Sequence, residues 1–234
     1  LSGNVGRSSL IDRIIEEKGD SAIPDMLAIM VRFADDPEVC EMVMEYLLKM
    51  GRKTLGPIRF MLNEFSLSQT WKDPDSEEII EGDERLRKLP MFYLSEILGE
   101  LGEPRDVPLL YKLLGLLNEE AEQLFLYEAL ARLGAGEELI DLLGFFVQED
   151  ENRAKLLDHA VMILSYIDHE RSFRLLADAL FHEWLEQNHR ELVIRAIRNF
   201  LQLFPQQFQQ LALHSKKDRI IELMEHQQKE DEEG

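Results

Sequence analysis

One joint recurs along this chain and limits what it can fold into. The stretch Leu98–Leu114, LGELGEPRDVPLLYKLL, ends one apolar helical pattern at Gly102 and opens another within a few residues, with Pro104 and Pro108 at its start. The same helix end is written EYLLKMG at Gly51 and EALARLG at Gly134. Looser copies end at Gly19, at Asp168 (MILSYID) and at Leu203 (IRNFLQL), just before Pro205. The spacing is about 32 to 35 residues, except between Gly51 and Gly102, where an insertion lengthens it. A period of that length marks a supersecondary unit that cannot bury its apolar side alone and stacks on its neighbours.

Each unit reads as two helices. In the first, AIPDMLAIMVRF precedes Asp36-Pro37-Glu38, which supplies an N-cap carboxylate, a proline at the first helical position and an acid in the first turn. Gly51 then stops the second helix, because a left-handed residue past a helix end is easiest for glycine. Leu94, Ile97, Leu98 and Leu101 form one apolar stripe at i, i+3, i+4, i+7. Leu126, Ala129, Leu130 and Leu133 form another, and Leu157, Ala160, Val161 and Leu164 a third. The units run 20–51, 52–102 with an insertion over 66–84, 103–134, 135–168 and 169–203, with terminal helices at 8–18 and 205–229, all in a single domain over 1–234. In the fifth unit the pattern predicts a long first helix from about His169 to Glu186 and a second from about His189, leaving Asn188-His189 in the turn. Pro108 either sits in the first turn of its helix or bends it.

Composition agrees with an all-α fold. Gly and Pro are few, β-branched runs and hairpin dipeptides are nearly absent, and helix-favouring residues dominate a chain that is 45% hydrophobic and 31% charged. The formal net charge of −20 keeps a protein soluble and repels phosphate backbones. It argues against nucleic acid and anionic membranes as partners and is compatible with a basic protein. Cys40, alone of its kind, permits no disulfide within the chain and fits a reducing cytoplasm, as a small core residue rather than a nucleophile. No apolar run reaches about 18 residues, the length of a membrane span. The start, LSGNVGRSS, has no signal-peptide pattern and no initiator Met, as expected of a processed chain or of a helical module of a larger protein.

LGELGEPRDVPLLYKLL and DDPEVCEMVMEYLLKMG resemble HEAT repeats, especially the short HEAT-like type of phycobilisome lyases, over about residues 20–205. The Arg that usually follows the Pro of the inter-helix turn is absent, since Val39 is followed by Cys40. The resemblance implies a right-handed α-α superhelix, an armadillo-like solenoid of about five helix pairs, whose second helices line a concave face.

On that face a helical wheel puts Glu41 and Glu45, then Phe92 and Glu96, then Leu124 and Glu128, then Lys155, His159, Met162 and Tyr166, and last Glu191, Arg195, Arg198 and Gln202. Glu45, Glu96 and Glu128 each stand six residues before their glycine. One carboxylate per repeat would suit a basic peptide. The expected function is therefore a non-catalytic scaffold or adaptor that binds a basic protein or peptide, with no cofactor and no metal.

The insertion, SLSQTWKDPDSEEIIEGDE, has seven acids and no base from Asp73 to Glu84, with Trp71, Ile79 and Ile80 as apolar anchors. It reads as a solvated loop or as a second binding element. Six of the nine Met residues lie between Met26 and Met61, which fits core filling better than a promiscuous surface.

The alternative is a HEAT-repeat metalloenzyme or a lyase-type subunit. Deoxyhypusine hydroxylases, which are HEAT-like di-iron proteins, carry His-Glu pairs where this chain has Glu41-Met42, Phe92-Tyr93 and Leu124-Phe125. His182, Glu186 and His189 have the i, i+4, i+7 spacing of ligands on one helix, although HEWLEQNH is not HExxH. HEAT-like DNA glycosylases need a basic groove, whereas Asn118–Asn152 holds ten acids and a lone base, Arg132.

Overall fold

The computed structural model describes residues 12–72, 78–80, 84–148 and 154–233. Within them the chain is all-helical apart from one short strand pair. Residues 12–18 form α1, followed by α2 (Ile23–Arg32), α3 (Pro37–Met50), α4 (Leu55–Ser68), α5 (Glu84–Leu101), α6 (Val107–Leu114) and α7 (Glu120–Arg132). Then come α8 (Ile140–Gln148), α9 (Ala154–Leu164), α10 (Glu170–Ala179), α11 (Gln187–Leu203), α12 (Phe208–Leu213) and α13 (Lys217–Glu233). Among the described residues no helix is long and apolar enough to cross a membrane.

The joints explain these bounds. Asp36 caps α3 by accepting from the backbone amides of Glu38 (3.1 Å) and Val39 (3.2 Å). Pro37 opens α3 and Gly51 closes it at φ 66°. Gly134 closes the run after α7 at φ 82°. Gly102 works differently. It has no positive φ, and a Cβ there would meet the Leu98 carbonyl oxygen at 2.2 Å and the Asp106 carboxylate at 2.8 Å. Its smallness lets Glu103 and Asp106 form a reciprocal capping box around Pro104–Asp106. Pro108 falls in the first turn of α6, where a missing N–H costs little, so it does not bend the helix.

The chain divides between Ala129 and Leu130 into two compact units. In the first, α2 packs on α3 and α4 on α5, while α2, α4 and α6 contact one another in series. α3 packs on α5, and Gly99 of α5 approaches Ala129 of α7 so closely that a Cβ would lie 2.8 Å from its Cα. In the second unit α8 packs on α9, α10 on α11 and α12 on α13. There α8, α10 and α12 again form one series, and α9, α11 and α13 the other. Each unit is thus two layers, of first helices and of second helices, with an apolar core between them. Met30, Leu47, Ile58, Leu62, Leu94 and Ile97 fill the first core; Phe146, Leu157, Phe173, Ile197 and Phe200 fill the second.

Three boundaries differ from the sequence reading. The first helix of the fifth pair ends at Ala179, not near Glu186, because the Phe181 and His182 amides turn back to Asp178 and Ala179. The apolar letters Phe181, Trp184 and Leu185 continue a helical pattern through a segment that is a turn. Asn188 and His189 lie inside α11 instead of before it. The expected terminal helix over 205–229 is broken: a 3-10 turn at Pro205–Gln207, then α12, then α13 to Glu233. These elements pack on α10 and α11 as a further, shortened pair. Residues 8–11 of the expected N-terminal helix and the break at 149–153 lie outside the described residues.

Candidate functional site

The second-helix face of the first unit carries the sequence-predicted carboxylates. Glu45 on α3 is half-buried and pairs with Lys49 at 3.1 Å, which also reaches Asp12 at 3.2 Å. Glu96 on α5 is exposed and Glu128 on α7 is half-buried. Phe92, one turn before Glu96, stacks on Phe125 of α7 with ring centroids 5.0 Å apart and planes at 27°. Phe125 is 43% exposed. Behind this pair Lys88, nearly buried, bridges α5 to α7 through Glu122 at 2.9 Å and holds Glu84 at 2.7 Å.

This is a one-residue correction to the wheel. Leu124, expected on the open face, is core at 1% exposed, and Phe125 takes its place outside. Either residue keeps Glu128 on the same side, three or four positions on, so spacing alone does not choose. Cross-helix stacking with Phe92 does.

In the second unit the expected residues divide. His159 and Arg195 are exposed on α9 and α11, and Met162 is half-buried. Tyr166 is engaged internally: Arg132 lies 4.0 Å over its ring and donates to its hydroxyl at 2.8 Å. Arg198 donates to the Met224 carbonyl of α13 at 3.0 Å, so it binds the last pair rather than standing open on the second-helix face. Nothing is described of the Lys155 side chain, which lies outside the described set. His182, Glu186 and His189 do not share a helix, since His182 and Glu186 precede α11; His189 instead meets Asp158 through Nδ1 at 2.6 Å. Among the described residues no group of three or more His, Cys, Asp or Glu is placed to hold a metal ion.

The insertion is a built element where it is described. Trp71 and Lys72 pair antiparallel with Ile80 and Ile79. Trp71 is 4% exposed, stacks on Phe65 at 4.5 Å and donates from Nε1 to the Arg87 carbonyl at 2.7 Å. It is therefore a core anchor and not an outward recognition residue, while Ile79 is exposed and Ile80 half-buried. Residues 73–77 and 81–83 of the insertion lie outside the described residues. Beside the strand pair, α2 and α4 frame a cleft of about 400 Å³ that the sequence did not announce.

The sequence also missed the polar lock of the first-helix layer. Arg59 of α4 makes a two-pronged pair with Asp106, Nε at 2.6 Å and Nη2 at 2.8 Å. Asp106 is 4% exposed and also accepts from the Glu103 amide at 2.9 Å. Burial pushes its carboxyl up, but the Arg59 hydrogen bonds and charge, with that amide, hold it below the ordinary range. In the second unit Arg171 pairs with Asp141 at the surface, where both side chains are exposed. Burial and the charge of Asp36 push the Cys40 thiol up to about 11, so it carries no thiolate at neutral pH. Met26 and Met30 are core, while Met42, Met44, Met50 and Met61 are half-buried, so the Met-rich stretch divides between interior and surface.

Comparison with protein-family models, with curated proteins and with solved structures finds no match to this chain.

Proposed function

We propose that this chain is a non-catalytic binding module, a HEAT-like stack with the right-handed superhelix of that class, that holds a basic protein or peptide on its second-helix face. The observation that carries the reading is the Phe92–Phe125 stack, open to solvent at Phe125 and one turn from Glu96 and Glu128. An aromatic face beside carboxylates suits the side chains of Arg and Lys, which gain cation–π attraction and a charge-assisted hydrogen bond from one site. Glu45, on the helix packed against α5, extends the same chemistry. The net charge of −20 steers a basic partner and opposes nucleic acid and anionic membranes. A cytoplasmic setting without cofactor is part of the proposal.

The test is affinity capture with the wild type and with Glu45, Glu96 and Glu128 changed to Lys. The same basic partners should be captured by the wild type, released by raised salt and missed by the variant. Partners retained by the variant at equal yield contradict the reading. Stoichiometric iron or zinc in the purified chain would replace it with an enzyme.

A further inference from the structure

A further cavity of the first unit lies where α4, the first turns of α5 and the turn after α6 meet. Its volume is about 280 Å³, and Phe65, Met91 and Leu117 give it apolar walls. Arg87 and Lys88 of α5 supply cations to its lining, and the exposed Glu84 an acid. The two cations differ in their surroundings. Lys88 is held by Glu84 at 2.7 Å and by Glu122 at 2.9 Å, so its charge is matched. Arg87 is half-buried, and its Nε is buried without a hydrogen-bond partner. Among the described residues Arg87 forms no ion pair. Glu84, the carboxylate that feels its charge, bonds Lys88 instead.

A cation drawn out of water without an anion is unfavourable, and a buried polar atom without a partner is an exception that needs a cause. With Lys88 neutralised, the lining keeps one unmatched positive charge, which suits a monoanion. The planar guanidinium fork fits a carboxylate, with two parallel hydrogen bonds. The apolar walls require a hydrocarbon or aromatic body behind that carboxylate. The volume lies just under the range of sites for drug-sized ligands, so the molecule is smaller than those. We infer that this cavity binds a small monocarboxylic acid with an apolar body, its carboxylate on Arg87 and its body against Phe65, Met91 and Leu117. Trp71 holds the Arg87 carbonyl and stacks on Phe65, so one ring fixes both sides of the site before a ligand arrives. The inference does not depend on the proposed basic partner, and neither reading needs the other.

The probes are butyrate, hexanoate and 3-phenylpropionate, each beside its neutral amide, titrated into the whole chain and followed by calorimetry at about 0.15 M salt. A chain of net charge −20 repels free carboxylates, so an acid that binds does so at a local site. At least one acid should bind about tenfold tighter than its amide. Arg87→Met keeps the length of the side chain without its charge, and should abolish that difference; Arg87→Lys should keep part of it. Without ligand, Arg87→Met should unfold at the wild-type temperature or above it, because it removes an unpaired cation and leaves the main-chain bond to Trp71 in place. Equal binding of acid and amide in all three pairs, binding of none of the acids, or a preference that survives Arg87→Met overturns the inference. So does a lower unfolding temperature of Arg87→Met, which would give the guanidinium a structural role in the free protein.

Discussion

The two layers of the first unit handle their polar groups in opposite ways. In the first-helix layer Asp106 and Arg59 are turned inward, and the inserted strand pair is pinned by Trp71. Beside its cleft this layer exposes Phe60, Leu67 and Ile79 together with Glu64 and Lys72. In the second-helix layer the bridge between helices is Lys88 to Glu122, while Glu96 and Phe125 face outward. One layer holds a buried carboxylate in its joint and exposes large apolar side chains; the other exposes a carboxylate and an aromatic ring together. A buried pair of charges fixes geometry more than it adds free energy, whereas an exposed carboxylate beside a ring recognises cations. The difference separates what holds the stack from what the stack displays.

Substitutions sharpen this contrast. Trp71→Ala removes the ring stacked on Phe65 and the bond to Arg87, and should lower stability by about 3 to 4 kcal/mol in denaturant unfolding. A loss under about 1 kcal/mol would mean that the strand pair is not anchored as described. Asp106→Ala leaves Arg59 without its buried partner and should cost about 3 kcal/mol.

The same residue predicts a pH dependence. Its folded pKa lies below the unfolded value, so its contribution is complete above about pH 4 and is lost as pH falls through the lower folded value. Wild-type stability should therefore fall more steeply below about pH 4 than that of Asp106→Asn, and parallel curves would contradict the lock. Gly102→Ala forces a methyl against the Leu98 carbonyl and should cost about 2 kcal/mol.

On the other layer the effects on stability are smaller. Phe125→Ala should cost under about 1 kcal/mol, since the ring is 43% exposed, yet weaken partner binding about tenfold. A large stability loss with unchanged binding would reverse the roles given to the two layers.

The all-helical character of the chain was legible before any coordinates. Asp36, Pro37 and Gly51 bound α3 through local backbone chemistry, which a sequence states directly. The long interval between Gly51 and Gly102 marked an insertion over 66–84, and the segment between α4 and α5 lies between Ser68 and Glu84. What was not legible depends on distance in space. Asp106 lies 47 residues from Arg59, and no spacing rule links them. Gly102 has the letter and register of Gly51 but a different reason, room for a carboxylate instead of a positive φ. Leu124 and Phe125 are neighbours of similar hydrophobicity, so only the position of Phe92 decides which faces out. The strand pair is two residues long on each side, too short for alternation to register.

The central claim is that the second-helix face of the first unit is the recognition surface. Carbodiimide footprinting of carboxylates, read by mass spectrometry with and without the captured basic partner, tests it most directly. Labelling at Glu96, Glu45 and Glu128 should fall in the complex, while buried Asp106 stays unlabelled in both states. If those three glutamates label at the rate of the isolated chain while carboxylates elsewhere are protected, the partner binds another surface and the claim is wrong.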